Sequence, residues 1–208
     1  MARITFAQTL RTQEVEDPIN LWLHRPLAYA FVRLVLPLPV SANAVTFASI
    51  GIGVLAAGLI LYGTPHAMIA AGVLLWVSAI LDGADGQLAR ARQQVSRFGR
   101  AIDGAADMIV VGTSVVAAAV HLYFQTGSVL WLLGAAAAIG SGLVHFFVYD
   151  FYKMWFLRMT QPDRTDFETI ESVDRDLARL KAEGGQHYTR FALASLRNYL
   201  VWQDLFAR

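Results

Sequence analysis

The 208 residues are 56% hydrophobic and only 16% charged, too apolar for an ordinary water-soluble domain and long enough for one domain or at most two. The net charge of +1 says little alone, because the basic residues are unevenly spread, and no nucleic-acid partner is expected. Cysteine is absent, which excludes disulfides, thiolate catalysis and Cys-bound zinc.

Residues 1–19 are polar and mixed in charge, with no continuous apolar core of the signal-peptide type, so the first membrane helix is expected to act as its own targeting signal. Residues 20–40 are apolar but interrupted by Arg25 and Arg33, punctuated by Pro26 and Pro37, and supplied with Trp22, Tyr29 and Phe31. That mixture predicts an amphipathic helix lying in the headgroup layer. A short transmembrane helix is the competing reading, disfavoured because arginine is costly at a helix centre.

Residues 41–160 are predicted to form a transmembrane catalytic core. Ser41 or Asn43 offers the helix cap, and an apolar run then extends to Tyr62, about the length needed to span. Gly63 to His66 make a turn, and a second span runs from about Ala67 into an acidic segment. After a connector rich in Arg and Gln, Ala91 to Phe98, a third span runs to about Phe124. Gln125 to Ser128 turn the chain, and a fourth span covers about Val129 to Val148 before aromatic and charged residues mark re-emergence into the interface. Arg90, Arg92, Arg97 and Arg100 lie in or beside the second connection, Lys153 and Arg158 follow the fourth span, and the turns at 63–66 and 125–128 hold no Lys or Arg. The positive-inside rule then predicts cytoplasmic termini and a cytoplasmic acidic segment, in a bacterial-type inner or plasma membrane.

Residues 161–208 are predicted to be surface helices. Thr165 to Glu168 read as a capping box, and Phe167, Ile170, Val173, Leu177 and Leu180 keep helical spacing up to Gly184 and Gly185. The segment from Tyr188 is apolar and aromatic, but Arg190, Arg197 and Asp204 argue against a span. The predicted fold class is therefore an all-α integral membrane protein. It has at least four transmembrane helices, an N-terminal interfacial helix and a helical, mostly polar C-terminal segment.

The chemistry concentrates between Asp82 and Asp107. An isolated Asp at the centre of a membrane helix costs roughly 2.5–3.5 kcal/mol, so four acids beside hydrocarbon call for something positive to hold. At about 100° per residue, Asp82, Asp85, Gly86, Ala89 and Arg90 share one helix face, and Gly99, Asp103 and Asp107 form a ridge on the next helix. Carboxylates without His or Cys are hard-oxygen ligands suited to Mg²⁺ or Mn²⁺, and four of them make a two-ion site plausible. Gly86 and Ala89 leave room for a bulky ligand, and Arg90 offers a cationic fork for phosphate oxygens. The parts suit a diphosphate bridged to metals.

The pattern Asp82-x-x-Asp85-Gly86-x-x-Ala89-Arg90, eight residues, Gly99-x-x-x-Asp103-x-x-x-Asp107 resembles the defining motif of the CDP-alcohol phosphotransferase family at all eight fixed positions. The resemblance covers roughly residues 20–155. It implies a six-helix membrane enzyme, usually a homodimer, that transfers a substituted phosphoryl group from a CDP-linked donor, CDP-diacylglycerol here, to an alcohol acceptor in phospholipid synthesis and releases CMP. It further implies Asp82, Asp85 and Asp103 as metal ligands, and Asp107 at the second ion and as base toward the acceptor hydroxyl. Gly86, Ala89, Arg90 and Gly99 become nucleotide and diphosphate contacts. Asn43 and Thr46 resemble a weaker Pro-Asn-x-x-Thr element near the nucleotide, although Ala42 stands in the position of its Pro. The family's last two transmembrane helices have no counterpart in residues 161–208.

Blander readings stand beside these. The acids could be helix-end carboxylates paired with nearby arginines; Arg92, Arg97 and Arg100 read as topology determinants, and Lys153 and Arg158 as snorkelling side chains. Asp150 is a candidate partner for Lys153, and the five scattered histidines read as structural. Two rival functions remain open: a divalent-cation transporter or sensor, and an inactive truncated relative acting as a scaffold.

Overall fold

The computed structural model describes residues 6–9, 18–95, 97–160, 169–182 and 187–207, and every element among them is helical. The chain divides into two units, Met1–Ile139 and Gly140–Arg208. In the first, a four-residue helix α1 (Phe6–Thr9) precedes a π-helical turn (Asn20–His24) that runs into α2 (Arg25–Val35). Three long helices follow, α3 (Ala42–Tyr62), α4 (Pro65–Ala91) and α5 (Arg97–Thr126), and α6 (Leu130–Thr160) begins in this unit and ends in the second. The second unit adds α7 (Ile170–Ala182) and α8 (His187–Ala207).

Among the described residues, four helices are long and apolar enough to cross a membrane: Ala42–Tyr62, Pro65–Ala91, Ile102–Thr126 and Leu130–Leu157. Large apolar side chains along them point outward, Phe124 at 77% exposure and Leu130 at 71% among them. In water such a surface would be prohibitive, but hydrocarbon solvates it. The protein is an all-α integral membrane protein.

Local chemistry sets the helix ends. Ser41 caps α3, its hydroxyl accepting from the Ala44 amide at 3.2 Å, which settles the choice between Ser41 and Asn43. Thr64 caps α4 in the same way, followed by Pro65 at the first position. Gly63 ends α3 with φ +76°, and a Cβ there would fall on the ring of His121, whose Nδ1 lies 3.3 Å from the Leu61 carbonyl oxygen. The end of α4 is a Schellman turn, in which the Gln94 amide donates to the Ala89 carbonyl and the Gln93 amide to that of Arg90. Gln93 takes the left-handed position, φ 55°, that glycine usually fills.

Packing in the first unit centres on α3 and α4. Along α3, Thr46, Ser49, Gly53, Ala56 and Ala57 are buried at helical spacing, a stripe of small residues that lets neighbouring backbones approach. At Gly53 a Cβ would come 2.5 Å from Val110 on α5, so this is a point of close contact between α3 and α5. Helix α2 lays Ala28, Val32 and Val35 on Val45, Leu81, Ala84 and Leu88, forming the apolar core beside the acidic segment. Its outer face keeps Leu34 73% exposed, the two-sided pattern expected of an interfacial helix. Arg92, expected as a topology determinant, also has a structural role. Its guanidinium donates to the carbonyls of Val35, Leu36, Leu38 and Val40, capping the end of α2 and the turn after it.

In the second unit, Val173, Leu193 and Leu157 are buried. Arg197 bridges α8 to Asp174 on α7 at 2.5 Å, and the Tyr199 hydroxyl donates to Asp150 on α6, also at 2.5 Å. Asp150 accepts from Tyr199, and Lys153 lies 5.7 Å from the centre of the Tyr149 ring. The box at Thr165–Glu168 and the stop at Gly184–Gly185 lie outside the described residues, as do Phe167 and the side chains of Arg97, Arg100, Arg158 and His187. Within the described residues α7 starts on a reciprocal pair, Thr169 and Ser172, each side chain accepting from the other's amide. Neither α7 nor α8 is among the membrane-crossing candidates.

Candidate functional site

The site is assembled by helix periodicity. Helix α4 continues unbroken through the acidic segment to Ala91, so Asp82, Asp85, Gly86, Ala89 and Arg90 keep one face. Asp103 and Asp107 stand one turn apart on α5. Carboxylate oxygens of Asp82, Asp85 and Asp103 all lie within 4.8 Å of one another. Asp107 is outside this close trio but within electrostatic reach of it, since its charge acts on Asp82 together with those of Asp103 and Asp85.

The three acids differ in surroundings. Asp85 is 4% exposed, Asp82 half-buried and Asp103 exposed, so the cluster opens to one side. The Thr46 hydroxyl, itself 4% exposed, donates to Asp85 Oδ2, so α3 fixes the rotamer of the most buried carboxylate. Thr46 also sits 3.2 Å from the Ala42 carbonyl, and its own carbonyl accepts from Ser49 at 2.8 Å. Asn43 is half-buried in the first turn of α3, three residues before Thr46.

Arg90 curls back over Gly86: a Cβ on Gly86 would lie 3.4 Å from its Nη1. The Arg90 Nε donates to the Thr9 carbonyl at 2.6 Å, tying α1 to the motif helix, and Phe6 packs edge-on against Tyr29 at 5.4 Å between ring centres. Ala89 and Gly99 are half-buried. Asp107 and Asp82 share the wall of a cavity of about 340 Å³ that continues into the apolar part of the unit, with Ser49, Ser78 and Ser114 as its other polar side chains.

The donor set fits a hard divalent cation. Oxygens bound at about 2.1 Å to one Mg²⁺ sit up to about 4.2 Å apart, so carboxylates within 4.8 Å need only a small side-chain adjustment to close on an ion. No His or Cys is among them, which disfavours zinc or copper. Four carboxylates crowded beside hydrocarbon repel one another, and a cation relieves both the repulsion and the burial cost.

Sequence reasoning recognised the acids but missed two contributors. Arg25, expected as an interruption of the interfacial helix and as one of the basic residues that set orientation, reaches Gly83 on α4. Gln87, an unspecified position of the motif, is fully buried against α2. The one available signal was a fully polar amide on the apolar side of α4. Among the histidines, His24 pairs with Asn20 Oδ1, His121 with Gln125 besides the Leu61 carbonyl, and His145 with Ser141.

The family model for CDP-alcohol phosphatidyltransferase matches residues 39–161, more than half of the chain. A CDP-diacylglycerol–serine O-phosphatidyltransferase of Helicobacter pylori is 34% identical over 102 residues, 49% of this chain and 40% of that protein. Its counterpart in a second strain is 33% identical over the same share. A bifunctional IPC transferase and DIPP synthase of Aquifex aeolicus is 35% identical over 75 residues, 36% of this chain and 17% of the relative. The matched region thus spans 40% or less of the length of these curated relatives.

Proposed function

The chain belongs to the CDP-alcohol phosphatidyltransferase family, and on that premise we propose that it transfers a substituted phosphoryl group from a CDP-linked alcohol, CDP-diacylglycerol, to an alcohol acceptor and releases CMP. The observation that carries this reading is a division of labour among the acids. Three of them crowd within 4.8 Å, as metal ligands must, while the fourth shares a cavity wall with one of the three.

Asp82, Asp85 and Asp103 would hold Mg²⁺ or Mn²⁺, with Asp107 at a second ion. When bound, the ions neutralise the diphosphate and stabilise the charge that develops on the departing CMP. Arg90, lying over Gly86, supplies a fork for the diphosphate oxygens, and Gly86, Ala89 and Gly99 leave its backbone approach open. Asn43 faces the nucleotide. Thr46 acts through Asp85, whose carboxylate it orients. The acceptor hydroxyl enters beside Asp107, which takes its proton as the oxygen attacks the β-phosphorus. The bond from that phosphorus to the bridging oxygen breaks, and its electron pair leaves on CMP. The acidic end of the core and both termini face the cytoplasm, and the working form is a homodimer.

The test is CMP release by the purified chain with CDP-diacylglycerol, Mn²⁺ or Mg²⁺, and glycerol phosphate, inositol phosphate or serine as acceptor. Asp82→Asn and Asp107→Asn should each abolish release. Undiminished activity in either variant, or metal flux into proteoliposomes with no CMP formed, overturns the assignment. Chemical cross-linking in native membranes tests the dimer.

A further inference from the structure

The first turn of α2 brings a second guanidinium to the carboxylates. Arg25 Nη1 donates to the Gly83 carbonyl at 3.3 Å, between Asp82 and Asp85 in the motif helix. Its charge acts on Asp82, as that of Arg90 acts on Asp85. Gln87, fully buried, donates its Nε2 to the backbone carbonyl of Arg25 at 3.1 Å. Helix α4 therefore grips Arg25 twice, one turn apart: at the guanidinium through Gly83 and at the main chain through Gln87. Gly83 packs closely here, since a Cβ there would stand in ordinary contact with Nη1 at 3.8 Å and with the Ala28 methyl at 3.7 Å.

This is not how an interfacial arginine behaves, for such a side chain snorkels toward headgroups and needs no partner in the protein core. Gln87 makes the same point. Its Oε1 is buried with no hydrogen-bond partner among the described residues, a cost that an apolar residue would avoid. What the amide gives in return is a fixed Arg25.

Charge balance says what Arg25 is held for. Four ionised carboxylates against Arg25 and Arg90 would sum to two negative charges, which two divalent ions, when bound, would turn into two positive ones. The diphosphate of a CDP-linked alcohol carries two negative charges, which the two guanidiniums would bring to balance in a site loaded with two such ions. We propose that Arg25 is a substrate-binding residue that donates to the donor's diphosphate from the Asp82 side of the site, and that Gln87 is the positioning residue that holds it there. The proposal rests on the phosphotransfer reading above.

The experiment measures CDP and CMP binding by calorimetry to the full chain in detergent with saturating Mn²⁺, alongside Mn²⁺ binding by electron paramagnetic resonance. Arg25→Gln should weaken CDP about ten- to a hundredfold, the range for losing a hydrogen bond between charged groups, and CMP much less. Mn²⁺ affinity should hold or tighten, because a positive charge beside Asp82 has gone. Arg25→Lys should recover part of the loss, as a point charge without the fork. Gln87→Leu should weaken CDP in the same direction but less. Unchanged CDP affinity in Arg25→Gln overturns the proposal, as does a CDP loss matched by an equal Mn²⁺ loss, which would make Arg25 a mere support. Wild-type protein that binds Mn²⁺ but not CDP sinks the phosphotransfer reading and this assignment with it.

Discussion

Replacing Thr46 by Val separates two roles for the residue. The side chains have nearly the same shape and the same β-branching, so neither helix propensity nor packing changes much. What disappears is the hydroxyl that donates to Asp85, with both residues 4% exposed. A hydrogen bond to a charged group contributes about 1.5–3 kcal/mol, and a lost partner that orients a metal ligand costs about ten- to a hundredfold in metal affinity. Thr46→Val should therefore bind Mn²⁺ at least tenfold more weakly in a titration followed by electron paramagnetic resonance, and Thr46→Ser should bind it nearly as wild type does. At saturating Mn²⁺ much of the CMP release should return. If Thr46→Val keeps wild-type Mn²⁺ affinity while its KM for the CDP donor rises, Thr46 touches the nucleotide and the orienting role is wrong.

Gly53→Ala should destabilise the first unit by about 1–3 kcal/mol, because its Cβ would meet the branched side chain of Val110 at 2.5 Å. Adding Val110→Ala should recover most of that loss in thermal unfolding followed by circular dichroism. Gly86→Ala should leave the melting temperature level or slightly raised, since its Cβ meets only the Arg90 guanidinium, at 3.4 Å, and alanine favours helix by about 1 kcal/mol. The donor KM should nonetheless rise, and an unchanged KM would mean that no ligand approaches the backbone there. Arg92→Gln removes the cap on four carbonyls and should lower stability by about 2–4 kcal/mol, readable as a fall in melting temperature of several degrees. Gln93→Gly, relieving a left-handed residue at φ 55°, should raise stability by about 1 kcal/mol in the same assay.

Much of this protein was legible because membranes simplify the reading. Apolar runs of spanning length have few alternatives once water is absent, so the spans from Ala42, Pro65, Ile102 and Leu130 appear where the sequence predicts them. Cap chemistry was equally local, although Ser41 and Asn43 could be told apart only by the bond that Ser41 makes to the Ala44 amide. The acids were legible for the same reason: charge beside hydrocarbon has to be explained, and helical spacing dictates which residues share a face.

What stayed hidden in the sequence was everything that joins residues far apart in the chain. That Asp103 closes on Asp82 and Asp85 while Asp107 sits against a cavity depends on how α3, α4 and α5 pack, and periodicity within one helix carries no such information. Arg92 looked like a topology signal because its partners, the carbonyls ending α2, lie more than fifty residues away. Arg25 looked like an interruption of the interfacial helix until the fold set it against Gly83, with Gln87 holding its backbone. The sequence by itself determined the helices, their apolar faces and the kind of ion the acids suit, because those follow from local periodicity and ligand hardness. Tertiary structure alone decided which acid is most buried, which hydroxyl orients it and which arginine reaches the site, because these depend on packing between helices.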